Sequence, residues 1–185
     1  FQDIQQGGNG GSGIVVLRYQ IGELDGVAKA TGGYISFYNG KTIHTFKHSG
    51  SMVFPGSFNE TVEYVVVGGG GSGGYDIGGG GGAGGYMTGT TPVNTGGSTA
   101  TRSVQVGAGG ALRGAPGTSG HDGTDSYFGP PVTPDGITAT GGGAGGMEPF
   151  SPGTDNECGS GGASYRSGTP NIGLGNTQPK YTPQG

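Results

Sequence analysis

The sequence predicts a mostly β chain: a small antiparallel sheet followed by a glycine-rich sandwich of polyglycine II rods, with essentially no α-helix. Three observations predict it. Residues 14–67 hold more than half of the Leu, Ile, Val and Phe of the 185-residue chain, in short runs with period 2. Glycine accounts for 50 residues and gathers in runs, most of them after residue 67. No stretch has the spacing of an amphipathic helix.

The junction of the two regimes is TVEYVVVGGGGSGGYDIGGGGGAGGY, residues 61–86. Val62, Tyr64 and Val66 share one face of a strand, and Glu63, Val65 and Val67 the other. Two glycine runs follow, 68–74 and 78–85, separated by Tyr75-Asp76-Ile77. Glycine costs roughly 0.5–1 kcal/mol relative to alanine in a regular element. Over 50 residues that exceeds the net stability of a domain, about 5–15 kcal/mol, unless dense packing offsets it. A left-handed helix of three residues per turn has no internal hydrogen bonds and turns its N–H and C=O groups outward. Rods of this kind without Cβ atoms lie side by side and satisfy each other's backbones. Seven residues at about 3.1 Å span roughly 22 Å, close to the ~23 Å of the strand at 61–67. Tyr75-Asp76-Ile77 then serves as the reversal between two rods. Disorder is the competing reading; it calls for high net charge as well as few apolar residues, and the net charge is −4.

The remaining elements follow in order. GGNGGSGIVVLRY, residues 7–19, puts the glycine run first and the strand second. The strand at 14–21 is apolar enough at 14–17 for burial on both faces. Residues 22–33 form a polar connector. Strands at 34–38 and 42–46 flank Asn39-Gly40, a two-residue hairpin signal. A strand at 51–54 ends at Pro55-Gly56, and 61–67 completes a small antiparallel sheet. Weaker strands fall at 99–106 and 136–140, with further glycine runs at 107–110, 141–146 and 159–162. The tail, 171–185, has no periodicity.

Composition excludes several classes. Collagen's strict Gly-X-Y period is missing. The eight Lys and Arg are scattered in a mildly acidic chain, which argues against nucleic acid as a partner. Cys158 is alone, so no intrachain disulfide is expected. No apolar run approaches 18 residues, so no membrane insertion is expected. The chain starts at Phe1 without a signal-peptide pattern, as expected of a processed product or a piece of a longer protein.

Motifs that suggest chemistry lack its context. Gly68, Gly70 and Gly73 fit G-x-G-x-x-G, but no helix follows and no acid lies about 20 residues on. Residues 70–74 fit G-x-S-x-G around Ser72, without the strand-to-helix turn of a nucleophile elbow. His44 and His48, with His121 remote, lack the Cys or acidic companions of a metal site. Asp122 and Asp125, and Asp155 with Glu157, carry oxygen ligands for calcium without EF-hand spacing; solvated turns are the plainer reading. Asn59-Glu60-Thr61 fits an N-glycosylation pattern. No cofactor, metal or catalytic residue is expected.

Tyr75, Tyr86, Tyr127, Phe128, Phe150 and Tyr165 fall at rod ends or in loops. Tyr75, Tyr86 and Phe128 are expected to cap the glycine body, because large rings bury 150–250 Å² each. Loops at 114–125 and 147–158 are better placed to touch a partner. The contact candidates are His121, Asp122, Tyr127, Phe150 and Tyr165.

Four segments together carry a resemblance: YNGKTIHTF (38–46), VEYVVVGGGGSGG (62–74), DSYFG with GITATGGGAGG (125–129 and 136–146), and GGNGGSGIVVLRY (7–19). The chain resembles the glycine-rich domains of bacteriophage tail-fibre and adhesin-like proteins, common in marine phages. The resemblance implies a non-enzymatic virion fibre segment or receptor-binding tip, located in the virion or outside the cell. Packed rods would carry variable loops that touch a host cell-surface glycan or outer-membrane protein. One feature departs from the family: the segment that usually closes the domain comes first. Residues 1–21 are therefore expected to close a preceding or neighbouring unit, with 22–67 a small β region and 68–185 the glycine-rich domain. Either the chain is cut from a tandem array, or residues 7–21 complete a neighbouring copy and build a filament by strand donation. The assembly candidates are Ile14, Val15, Val16 and Leu17 on the strand, and Gly70, Gly81 and Gly143 in the rods.

Overall fold

The computed structural model describes residues 7–21, 28–75, 78–112, 120–130 and 136–146. Among them are nine strands in two antiparallel sheets, and no helix. The strands are β1 (Ile14–Gln20), β2 (Tyr34–Tyr38), β3 (Lys41–Phe46), β4 (Gly50–Phe54), β5 (Asn59–Val67), β6 (Tyr86–Asn94), β7 (Ala100–Gln105), β8 (Ser126–Phe128) and β9 (Ile137–Ala139). The first sheet has the order β2-β3-β1-β5-β6, the second β4-β7-β8-β9.

Period-2 patterning decides the inner faces. Val15, Leu17 and Tyr19 of β1 are buried beside Thr42, His44 and Phe46 of β3 and Val62, Tyr64 and Val66 of β5. Met52, Phe54, Val104, Phe128, Ile137 and Ala139 from the second sheet close the same core. Phe58 packs edge-on to Tyr19 at 5.0 Å between ring centroids, and Phe54 sits 4.7 Å from Phe58. On the outer face Ile14 and Val16 are only half-buried, so 14–17 is fully buried on one face, that of Val15 and Leu17, and not on both as expected: no layer covers the outer side of the first sheet there among the described residues. The Asn39-Gly40 turn is made as expected, with φ of 48° and 70°, a pair that asparagine and glycine tolerate.

Three placements differ from the sequence reading. β4 leaves the first sheet and joins the second, pairing with β7 from Gly50↔Val104 to Phe54↔Ala100. β6, nine residues long, was not expected: its threonines, Gly89 and Pro92 hide the alternation. It is an edge strand, where a proline needs no ladder donor. β8 is three residues long, too short to show a period. Within the one chain described, β1 lies in the middle of the first sheet, between β3 and β5.

Candidate functional site: the glycine rod bundle

Six described segments continue six of the strands as extended rods: rod 1 (7–13) into β1, rod 2 (68–74) out of β5, rod 3 (78–85) into β6, rod 4 (107–112) out of β7, rod 5 (120–125) into β8 and rod 6 (140–146) out of β9. Their directions alternate because each pair of strands is antiparallel. None of them has a regular ladder; they are joined by backbone bonds that recur every third residue.

Rod 2 makes this plainest. The N–H groups of Gly68, Gly71 and Gly74 donate to Gly85, Gly82 and Gly79 of rod 3, each at 2.9 Å. Those of Gly69 and Ser72 donate to Thr124 and His121 of rod 5, both at 2.9 Å. Those of Gly70 and Gly73 donate to Gly11 and Gly8 of rod 1 at 2.8 and 3.0 Å. Three donor directions at a period of three are the signature of a threefold helix with outward backbone groups. Rod 2 also accepts from rod 4 (Gly110 to Gly70, 2.8 Å) and rod 6 (Gly142 to Gly69 and Gly145 to Ser72, both 2.8 Å). The outer rods are stitched together as well: Gly10 donates to Gly110, Thr124 to Ala108, Gly123 to Gly142, and Gly82 to Gly143.

Close approach is what requires glycine here. A Cβ on Gly71 would run into the Gly143 carbonyl oxygen, and one on Gly81 into that of Gly71. Gly143 accepts the Gly82 N–H at 2.7 Å. Gly70 differs from the other two rod candidates: the nearest atoms to a Cβ there are 3.6 Å away, in ordinary contact.

Side chains supply bonds where rods end or a neighbour is missing. The buried Ser72 hydroxyl donates to the Ala111 carbonyl at 3.0 Å and accepts the His121 N–H at 2.7 Å, so the serine of the G-x-S-x-G pattern is held between rods 4 and 5. Asp122 Oδ1 accepts the Ala144 N–H at 2.7 Å, and Asp125 Oδ1 the Gly141 N–H at 2.9 Å. The two acids three residues apart thus serve two amides three residues apart on rod 6. Thr124 Oγ1 accepts from Ala108, and Asn9 Oδ1 from Leu112. The sequence reading missed these bonds. Their signal is a polar residue every third position beside a glycine rod.

The contact candidates do not converge. His121 and Asp122 are exposed but belong to rod 5, not to a loop. Tyr127 is half-buried on β8, about 19 Å along the chain from His121 at 3.1 Å per residue. Phe150 and Tyr165 lie outside the described residues, as do the loop at 147–158, the first half (114–119) of the loop at 114–125, and Asp155 and Glu157. Of the expected caps, Tyr75 and Phe128 are buried, while Tyr86 is exposed. Tyr34 and Tyr38, on edge strand β2, are also exposed and were not singled out from the sequence. Tyr34 lines a recess of about 660 Å³ with Ser36, Thr45, Phe46 and His48.

Among the described residues no three His, Cys, Asp or Glu gather as a metal site. His44 is buried inside the first sheet, away from the exposed His48. Its Nδ1–H donates to the Gly32 carbonyl at 2.7 Å, and Tyr19 O–H donates to Nε2 at 3.0 Å. Burial pushes its pKa below the ordinary histidine value. Lys41 and Arg18 hold Glu63 below the usual carboxylate range on the outer face. No curated protein and no solved structure matches the chain. A family profile described as a glycine-rich domain matches residues 47–184, starting just after β3. On that match over most of its length, the chain belongs to the glycine-rich domain family.

Proposed function

We propose that this protein is a structural and adhesive component of a virion, a segment of a phage tail fibre or its receptor-binding tip, with no enzymatic role. The observation that carries the reading is the central rod, whose backbone is bonded in five directions to neighbouring rods. Such a bundle gives a stiff, side-chain-poor shaft, and its chemistry is spent on backbone pairing. Partners would be other copies of the chain and, at exposed loops and aromatics, a host glycan or outer-membrane protein. Several copies per particle would multiply a weak contact into firm attachment.

A second reading is a self-assembling extracellular filament. The placement of β1 favours it: a central strand with its rod at one side of the bundle can be exchanged between copies with every bond retained. Electron microscopy of the purified chain in buffer separates the two. The fibre-segment reading expects discrete short rods or monomers. Long uniform filaments would overturn it in favour of strand donation from residues 7–21.

A further inference from the structure

At edge strand β2 the first sheet carries an open recess of about 660 Å³, lined by Tyr34 and Ser36 of β2, Thr45 and Phe46 of β3, and Lys47 and His48 just after β3. Sites for small ligands usually measure about 300–1,000 Å³. Strand register builds this one. Tyr34 pairs with Thr45 and Ser36 with Ile43, so Tyr34, Ser36 and Thr45 share the outer face of the sheet. Gly33 leads the chain into β2 at φ 60°, and a Cβ there would stand 3.0 Å from the Phe46 ring. Without a side chain at 33, the recess reaches the edge of that ring.

The walls combine three chemistries. Tyr34, 75 % exposed, offers a flat aromatic face. Ser36 and Thr45 offer hydroxyls, and Lys47 and His48 an ammonium and an imidazole, both exposed. None of these side chains makes a hydrogen bond or ion pair with another described residue. Lys29 and Lys41 are ion-paired with Glu60 and Glu63. Lys47 is thus the described lysine left without a carboxylate, and no Asp or Glu lines the recess among the described residues. In a chain of net charge −4, the recess is a local positive site.

These groups select a ligand. An apolar molecule would desolvate the ammonium and both hydroxyls without pairing them. A phosphate is best met by the planar fork of arginine, and no arginine lines the recess. A sugar ring has an apolar face for the tyrosine and hydroxyls for Ser36 and Thr45, and a single carboxylate on it matches the single ammonium.

We propose that the recess binds a carboxylated sugar unit of a surface glycan. Its ring lies against Tyr34, its hydroxyls meet Ser36 and Thr45, and its carboxylate meets Lys47 beside His48. This deepens the adhesive reading above and rests on it for the source of the glycan. Tyr38, 77 % exposed, stands on the same face about 13 Å further along β2, where the next sugars of a glycan chain would pass.

Titration of the full chain with sodium glucuronate, followed by amide NMR, tests the proposal. Shift changes confined to 33–36 and 45–48 are expected. Glucose should bind the same residues about two- to fivefold more weakly, the worth of one exposed ion pair. Lys47→Gln should abolish that preference, and Tyr34→Ala should weaken both sugars about threefold or more. Absent shifts, shifts elsewhere, equal binding of the two sugars, or a preference that survives Lys47→Gln would each overturn it. Signals of 34 and 47 that move with protein concentration rather than with sugar would give the recess to a second copy and overturn it as well. The micrograph that separates fibre from filament bears on the reading above and not on this titration, so either can fail alone.

Discussion

Burial of His44 between Tyr19 and Gly32 fixes its charge state. The Gly32 carbonyl can only accept, so Nδ1 carries the proton and Nε2 is left to accept from Tyr19, whose oxygen accepts the Ala30 N–H at 2.9 Å. Every group in the relay is paired while the imidazole is neutral. Because the folded pKa is depressed, the unfolded chain binds the proton more readily between that value and about 6.5. Stability is therefore full above pH ~6.5 and falls as the pH drops below it. Urea midpoints measured from pH 7.5 to 5 should decline, and His44→Gln should flatten the decline even if it lowers stability throughout. Equal slopes in the two proteins would contradict the assignment. From the sequence, His44 was legible only as one of two histidines four apart. Its partners come from β1 and the segment before β2, and no local pattern announces a relay across strands.

At the scale of elements, glycine matters by direction rather than by count. Gly69→Ala and Gly71→Ala drive a Cβ into the backbone carbonyls of Ala108 and Gly143, and neighbouring rods cannot yield without losing bonds. Each should cost about 1–3 kcal/mol or more. Gly80→Ala, with nothing within 4 Å of its Cβ, should stay within about 0.5 kcal/mol. Thermal melts of the three variants check the contrast, and equal losses would mean that the rods are not packed this way. The rods were legible because 68–74 carry one side chain, that of Ser72, too few to alternate, and match the strand in length. The two-sheet arrangement was not: Met52 and Phe54 alternate in a way that suits either sheet, and only pairing with β7 decides. β6 was hidden for a physical reason. Gly89 breaks its pattern because the Tyr64 ring lies over it, with Tyr64 Oη 2.6 Å from where a Cβ would stand.

The molecule as a whole is one pattern carried through two kinds of backbone. Strands β1, β5 and β6 become rods 1, 2 and 3, and β7, β8 and β9 become rods 4, 5 and 6. Side chains hold the strand half together and amides hold the rod half, so the sandwich core aligns the rods that glycine alone would leave unregistered. Segment order along the sequence did not disclose this, because rod 1 and β1 precede the other rods and sheet strands in the sequence yet bond to β5, rod 2 and rod 4 far along it. The contact residues were the least legible, since His121 and Asp122 read as a loop and serve instead as part of a rod. The central claim is that rod 2 is a hydrogen-bonded polyglycine II helix at the middle of a bundle. Amide hydrogen exchange at 68–74, read by NMR in the full chain, tests it most directly. Protection at all seven amides, comparable to that of β5, is the result expected. Exchange at the rate of an unstructured chain, while β5 stays protected, would contradict it.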